Sequence, residues 1–124
     1  MSTVQEHSEW VAKPPETEEE AKRRHSDVRA LLNAGDQRLV EGITYKWDNE
    51  KHCAAVFADW LSEQSESKIA DRLEIVESFA LCEERWYRFS KGSCAACEQA
   101  DFADRTHWVI SQLANQWRES HAKT

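Results

Sequence analysis

The sequence predicts an all-α single domain, a bundle of four to five helices with a central helix at about residues 67 to 90. Three observations carry this expectation. Apolar residues recur at helical spacing in four successive segments. Only three Gly and two Pro interrupt them, too little punctuation for a many-stranded β fold. The stretch from Ser67 to Gly92 carries two adjacent apolar stripes, Ile69, Leu73, Val76, Ala80 and Tyr87 on one, Ile75, Phe79, Cys82, Trp86 and Phe89 on the next. Together they make an arc wider than the roughly 100° face of an ordinary surface helix, so neighbours are expected on more than one side. Glu74, Glu77, Glu83 and Glu84 remain as an acidic strip expected to face solvent.

At 124 residues and 40% apolar content, the chain fits one compact core. Residues 1 to 14 read as a flexible N-terminal arm and residues 15 to 121 as a single helical domain. In the arm, Trp10 and Val11 are expected to dock on the domain or on a partner. The first long helix should start near Pro15 to Thr17. Proline suits a first turn, Thr17 with Glu20 fits a capping box, and Glu16, Glu18 and Glu19 lie where the helix dipole favours negative charge. Its inner stripe is Ala21, His25, Val28, Leu31 and Leu32, with Asn33-Ala34-Gly35 as the stop and Gly35 left-handed. His25 reads as a satisfied histidine at the core edge.

A short helical turn from Asp36 to Gly42 would place Leu39 and Val40 inward. Ile43 to Trp47 alternates like a strand but has no partner, and is expected as an extended connection. Asp48 or Asn49 should cap a helix with Cys53, Val56, Phe57, Trp60, Leu61 and Gln64 in its stripe. This helix and the central one are expected to form an antiparallel hairpin about the turn at Gln64 to Ser67. After Gly92, Ser93 caps a last helical region towards His121, with Asp101 as the start of a separate helix in the alternative. Its expected inner line is Ala95, Gln99, Phe102, Thr106, Val109, Leu113 and Trp117, with Ile110 and Ala114 beside it and Trp108 just off it.

Charge narrows the function classes. The net charge is −7, and the stretch from Asp48 to Glu84 holds ten acids against three bases. That balance argues against direct nucleic-acid binding, which needs clustered Lys and Arg. A helix, a glycine turn and a short second helix outline a helix-turn-helix, but the second helix is not basic. No apolar run approaches the roughly 20 residues of a bilayer span, and no signal-peptide pattern opens the chain, so a cytoplasmic protein with reduced thiols is expected.

Chemistry-bearing motifs are few. Cys94-Ala-Ala-Cys97 has the spacing of a zinc half-site, which Cys82 and His107 or His25 could complete, or of a redox dithiol; the competing reading is structural cysteines in ordinary helices. Asp104-x-x-His107 is a fragment of a di-iron bundle without its second copy. There is no phosphate-binding Gly loop, HExxH or GxSxG, so no enzyme is expected. Six tryptophans are too many for the core stripes, which take Trp60, Trp86 and Trp117. Trp10, Trp47 and Trp108 are left as candidate interface anchors.

Small size, acidity, helicity and absent catalytic loops are shared by small inhibitor proteins of phages and plasmids, anti-CRISPR and anti-restriction proteins among them, and by bacterial immunity proteins. By that analogy of class the expected role is a small acidic protein-binding inhibitor without a cofactor. Its partner would be another protein with a basic groove, neither nucleic acid nor membrane. Asp59, Glu63, Glu66, Asp71, Glu74 and Glu77, on either side of one turn, would form the nucleic-acid-mimicking surface. The alternative is a zinc-stabilised regulatory or sensor domain using Cys82, Cys94, Cys97 and His107.

Overall fold

A computed structural model describes residues 13 to 89 and 94 to 122, the side chains of 94 to 97 and 122 excepted. Among the described residues it holds five α-helices and no strand, the all-α bundle expected. They are α1 (Glu18–Arg29), α2 (Ala34–Tyr45), α3 (Glu50–Ser62), α4 (Ile69–Phe89) and α5 (Cys94–Ala122), with a 3-10 turn at Glu66–Lys68 leading into α4. α4 is the central helix. α5 packs along it, α1 packs on another side, and α2 touches it while bridging to α3 and α5. No described helix is long and apolar enough to cross a membrane.

At the start of α1 one half of the expected capping box forms: the Thr17 side chain accepts from the Glu20 amide at 3.1 Å, while the Glu20 carboxylate accepts from the Glu16 amide at 3.1 Å and not from that of Thr17, and three glutamates occupy the first turn. Ala21, His25 and Val28 are its buried line. His25 sits at the core edge, its Nε2 3.2 Å from Glu83 and its ring stacked on Phe79. Upstream, Pro15 is buried, and Arg24 donates to the Lys13 carbonyl, so the packed unit begins before the helix. Residues 1 to 12 of the arm, Trp10 among them, lie outside the described residues.

The expected stop at Gly35 is overturned. Asn33 and Asp36 form a reciprocal capping box, each side chain accepting from the other's backbone amide, so this stretch starts α2 instead of ending α1. α2 then runs through Gly42 and takes in Ile43 to Tyr45, which alternation had assigned to an extended connection. Ile43 lies four residues after Leu39 and is fully buried, so helical burial outweighs β propensity here. Gly42 has a packing reason to lack a side chain: a Cβ there would meet Val56 at 3.1 Å, and its absence lets α3 approach α2 closely.

α3 is capped by Asn49, which accepts from the His52 amide at 3.0 Å, and buries Cys53, Phe57 and Trp60 as its stripe requires. It does not pair with α4 in the expected hairpin. It packs mainly on α2 and also touches α5, because the 3-10 turn redirects the chain before α4 begins.

α4 buries Ile69, Leu73, Val76 and Ala80 from one stripe and Ile75, Phe79 and Cys82 from the other. The acidic strip expected to face solvent is corrected. Glu84 is buried and paired with Arg88, Glu83 pairs with His25, and Glu77 pairs with Arg118 of α5. A helix flanked on several sides leaves little open arc, so these three carboxylates sit at seams and find side-chain partners there.

α5 is continuous from Cys94, without the separate start at Asp101. Its expected inner line holds at Thr106 and Val109, with Leu113 and Trp117 partly buried against the core and Ile110 and Ala114, expected beside the line, fully buried; the Ala95 side chain lies outside the described residues, and the line is displaced in the first half. Ala100 and Ala103 are buried, while Gln99 is exposed and Phe102 is 44% exposed. Small side chains let α5 approach α4 closely, and the larger residues turn outward.

One polar cluster organises the interior. Asp36, fully buried at the start of α2, accepts from the Trp60 indole at 2.9 Å and forms an ion pair with Arg72 of α4. Arg72 also donates to the Leu31 carbonyl at 3.0 Å. One carboxylate therefore fixes α2, α3 and α4 relative to one another.

Candidate functional site

The exposed large apolar residues among those described are Tyr45, Phe102 and Trp108, at 83%, 44% and 63% exposure. They belong to the end of α2 and the outer face of α5, which one contact brings together. Thr106 donates to the Phe102 carbonyl at 2.7 Å, and the Thr44 hydroxyl meets Thr106 Oγ1 at 2.8 Å. With the Thr106 proton committed, Thr44 is the donor in that pair. Tyr45, the next residue, is turned outward.

Trp47 follows α2 and is half-buried, with the Arg105 guanidinium over its ring at 4.2 Å. Trp47, Asp101, Asp104, Arg105, His107 and Trp108 line a cleft of about 610 Å³. Ser111 adds a hydroxyl 3.4 Å from His107 Nε2. Burial pushes the His107 imidazole below its ordinary pKa, against the opposing pull of Glu77, Glu84 and Asp104 and with Arg85 acting in the same direction as burial. His107 is thus held towards neutrality. A smaller cleft, about 330 Å³, has Leu32, Val40 and Phe79 at its base and Tyr45 on its rim.

The structure therefore brings two of the three aromatic candidates, Trp47 and Trp108, into one cleft, and Trp10 lies outside the described residues. Of the acidic candidates, Asp59, Glu63, Glu66 and Asp71 are exposed around the turn after α3. Glu63 lies 3.4 Å from Arg38, Glu74 is half-buried, and Glu77 is held by Arg118. The open acidic patch is accordingly narrower than the sequence suggested. It lies near the far end of α3 from Trp47, about 18 Å away at the helical rise.

The zinc candidates are dispersed where they are described. Cys82 is in the apolar core, where burial pushes its thiol up to about 11, and His107 lines the cleft. The Cys94 and Cys97 side chains lie outside the described residues. Among the described residues no group of three or more His, Cys, Asp or Glu is placed to hold a metal ion. Glu77 and Glu84 face His107 from α4, but each is engaged by an arginine.

Arg105 and Asp101 are site residues that sequence reasoning missed. The spacing of Trp108 from Asp104 and Asp101, four and seven residues, was the available signal for one shared helix face. Compared with protein-family models, curated proteins and solved structures, the chain matches none.

Proposed function

We propose that this chain is a non-catalytic protein-binding module of the inhibitor kind, and that its partner contacts the cleft on α5. The observation that carries this reading is Trp108, an indole 63% exposed on a rigid helix at the lip of a cleft. Exposing that much aromatic surface is unfavourable, and tryptophan and arginine are the side chains that most often anchor interfaces. Trp47 and Arg105 extend the surface, and the Thr44–Thr106 contact keeps its two elements in register.

A second reading has its own support: Asp59, Glu66 and Asp71 are exposed carboxylates that could enter a basic groove. One experiment separates the two. The full chain, immobilised, is used to capture proteins from a bacterial lysate, beside Trp108→Ala and the triple variant Asp59→Lys, Glu66→Lys, Asp71→Lys. A protein retained by wild type and by the triple variant but lost with Trp108→Ala supports the cleft. Loss with the triple variant alone moves the contact to the acidic turn.

A further inference from the structure

We infer that the cleft on α5 takes a cation: a lysine or arginine side chain from a basic segment of the partner, laid on the Trp108 indole beside Asp101 and Asp104. This rests on the reading of the cleft as the partner site and adds the chemistry of what enters it.

Asp101, Asp104 and Trp108 occupy successive turns on one face of α5, all three exposed and all three lining the cleft. The cleft already contains one instance of the contact, since Arg105 lies over the Trp47 ring at 4.2 Å. That pairing engages Trp47 and leaves the second indole. Among the described residues Trp108 makes no stacking or cation contact with another side chain.

Charge selects the occupant. In the lining, Asp101 and Asp104 stand against Arg105, and burial holds His107 towards neutrality. Arg88 of α4 is close enough to feel both aspartates but is bonded to Glu84. An apolar group seated on Trp108 would strip water from two carboxylates without replacing it, and an acidic group would be repelled. A guanidinium or ammonium offers the indole a cation and the carboxylates hydrogen-bond donors together. The net charge of −7 would also steer a basic segment towards the molecule.

The test is an NMR titration of the full isotope-labelled chain with end-blocked hexa-arginine, and separately with an uncharged, apolar blocked peptide of equal length. Hexa-arginine should shift the backbone signals of residues 101 to 108 and the Trp108 indole N–H. The dissociation constant should rise about tenfold in Trp108→Ala and in Asp101→Asn/Asp104→Asn. Neutralising Asp59, Glu66 and Asp71 together should leave shifts at residues 101 to 108 in place. If the apolar peptide shifts these residues as strongly, or if shifts there survive Asp101→Asn/Asp104→Asn undiminished, the cation assignment falls while the cleft remains a partner site. If neither peptide perturbs residues 101 to 108, both readings fall.

Discussion

Asp, Arg and Trp meet both at the start of α2 and on α5, and the surroundings of these two clusters differ. At the start of α2, Asp36 is fully buried between the Trp60 indole and the Arg72 guanidinium, with Asn33 supplying a further amide donor. On α5, Asp101, Asp104, Arg105, Trp47 and Trp108 meet at an open cleft, with one indole covered and the other 63% exposed. Similar side chains serve opposite ends. The first cluster is buried with its charges paired, Arg72 Nε alone lacking a hydrogen-bond partner among the described residues, and its contacts fix how three helices pack. The second keeps hydrogen-bonding and aromatic surface unused by the fold, which is the property a partner can exploit. Burial and the pairing of charges, more than residue type, separate a structural cluster from a candidate binding one.

The difference is open to direct attack. The largest expected effect is at the closed cluster: Asp36→Asn removes the counter-charge of partly buried Arg72, and urea unfolding should report a loss of about 3–5 kcal/mol. Trp60→Phe should cost less, about 1–2 kcal/mol, since it keeps most of the apolar volume and gives up one hydrogen bond. At the open cluster, Trp108→Ala should change stability by no more than about 0.5 kcal/mol while removing partner capture. A stability loss for Trp108→Ala equal to that of Trp60→Phe would erase the distinction.

A smaller effect is expected from His107, which lies where the cleft meets the α4 seam. Burial lowers its pKa from 6.5 in spite of Glu77, Glu84 and Asp104, and Arg85 lowers it further. The folded state therefore resists the proton that the unfolded chain accepts first. The stabilisation linked to this group is present above about pH 6.5 and is lost as pH falls towards the lower folded value. Unfolding free energies measured between about pH 7.5 and pH 5.5 should decline, and His107→Gln should flatten that decline. An unchanged slope would mean that His107 is solvated and the cleft more open than described.

Much of the fold was legible because helix caps and apolar periodicity are local. Thr17, Asn49 and the α4 stripes behave as their sequence context dictates. The failures share a cause: the deciding partner is distant in sequence. Gly42 reads as a break until Val56 is seen against it, and Ile43 to Tyr45 read as extended until their burial on the bundle is known. The inner line of α5 was misplaced because Phe102 outweighs Ala100 and Ala103 in hydrophobicity, whereas close packing on α4 favours small residues. For the candidate site, Trp47 and Trp108 were marked by having no place in a stripe. That Arg105 would join them, and that Glu77 would be claimed by Arg118, depended on helix pairing that no local pattern encodes.

The smallest expected effect belongs to the acidic turn, and it tests how the two surfaces divide the work. Asp59, Glu66 and Asp71 are exposed, so changing all three to Asn should shift stability by no more than about 0.5 kcal/mol. Reduced self-repulsion in a chain of net charge −7 is offset by the loss of Asp71 from the first turn of α4, where the helix dipole favours a carboxylate. Glu63 and Glu77 are best left in place, since Arg38 and Arg118 would otherwise lose their partners. If the turn supplies only a steering field, the triple variant should associate more slowly with a basic partner and respond less to salt, with its dissociation rate nearly unchanged. Trp108→Ala should show the reverse pattern, with faster dissociation and little change in salt response, because contact at the cleft is short-ranged. Surface plasmon resonance at two ionic strengths distinguishes these patterns. A triple variant that dissociates as fast as Trp108→Ala would place the turn within the contact itself, and the partner would then have to span α3 from its acidic end to Trp47.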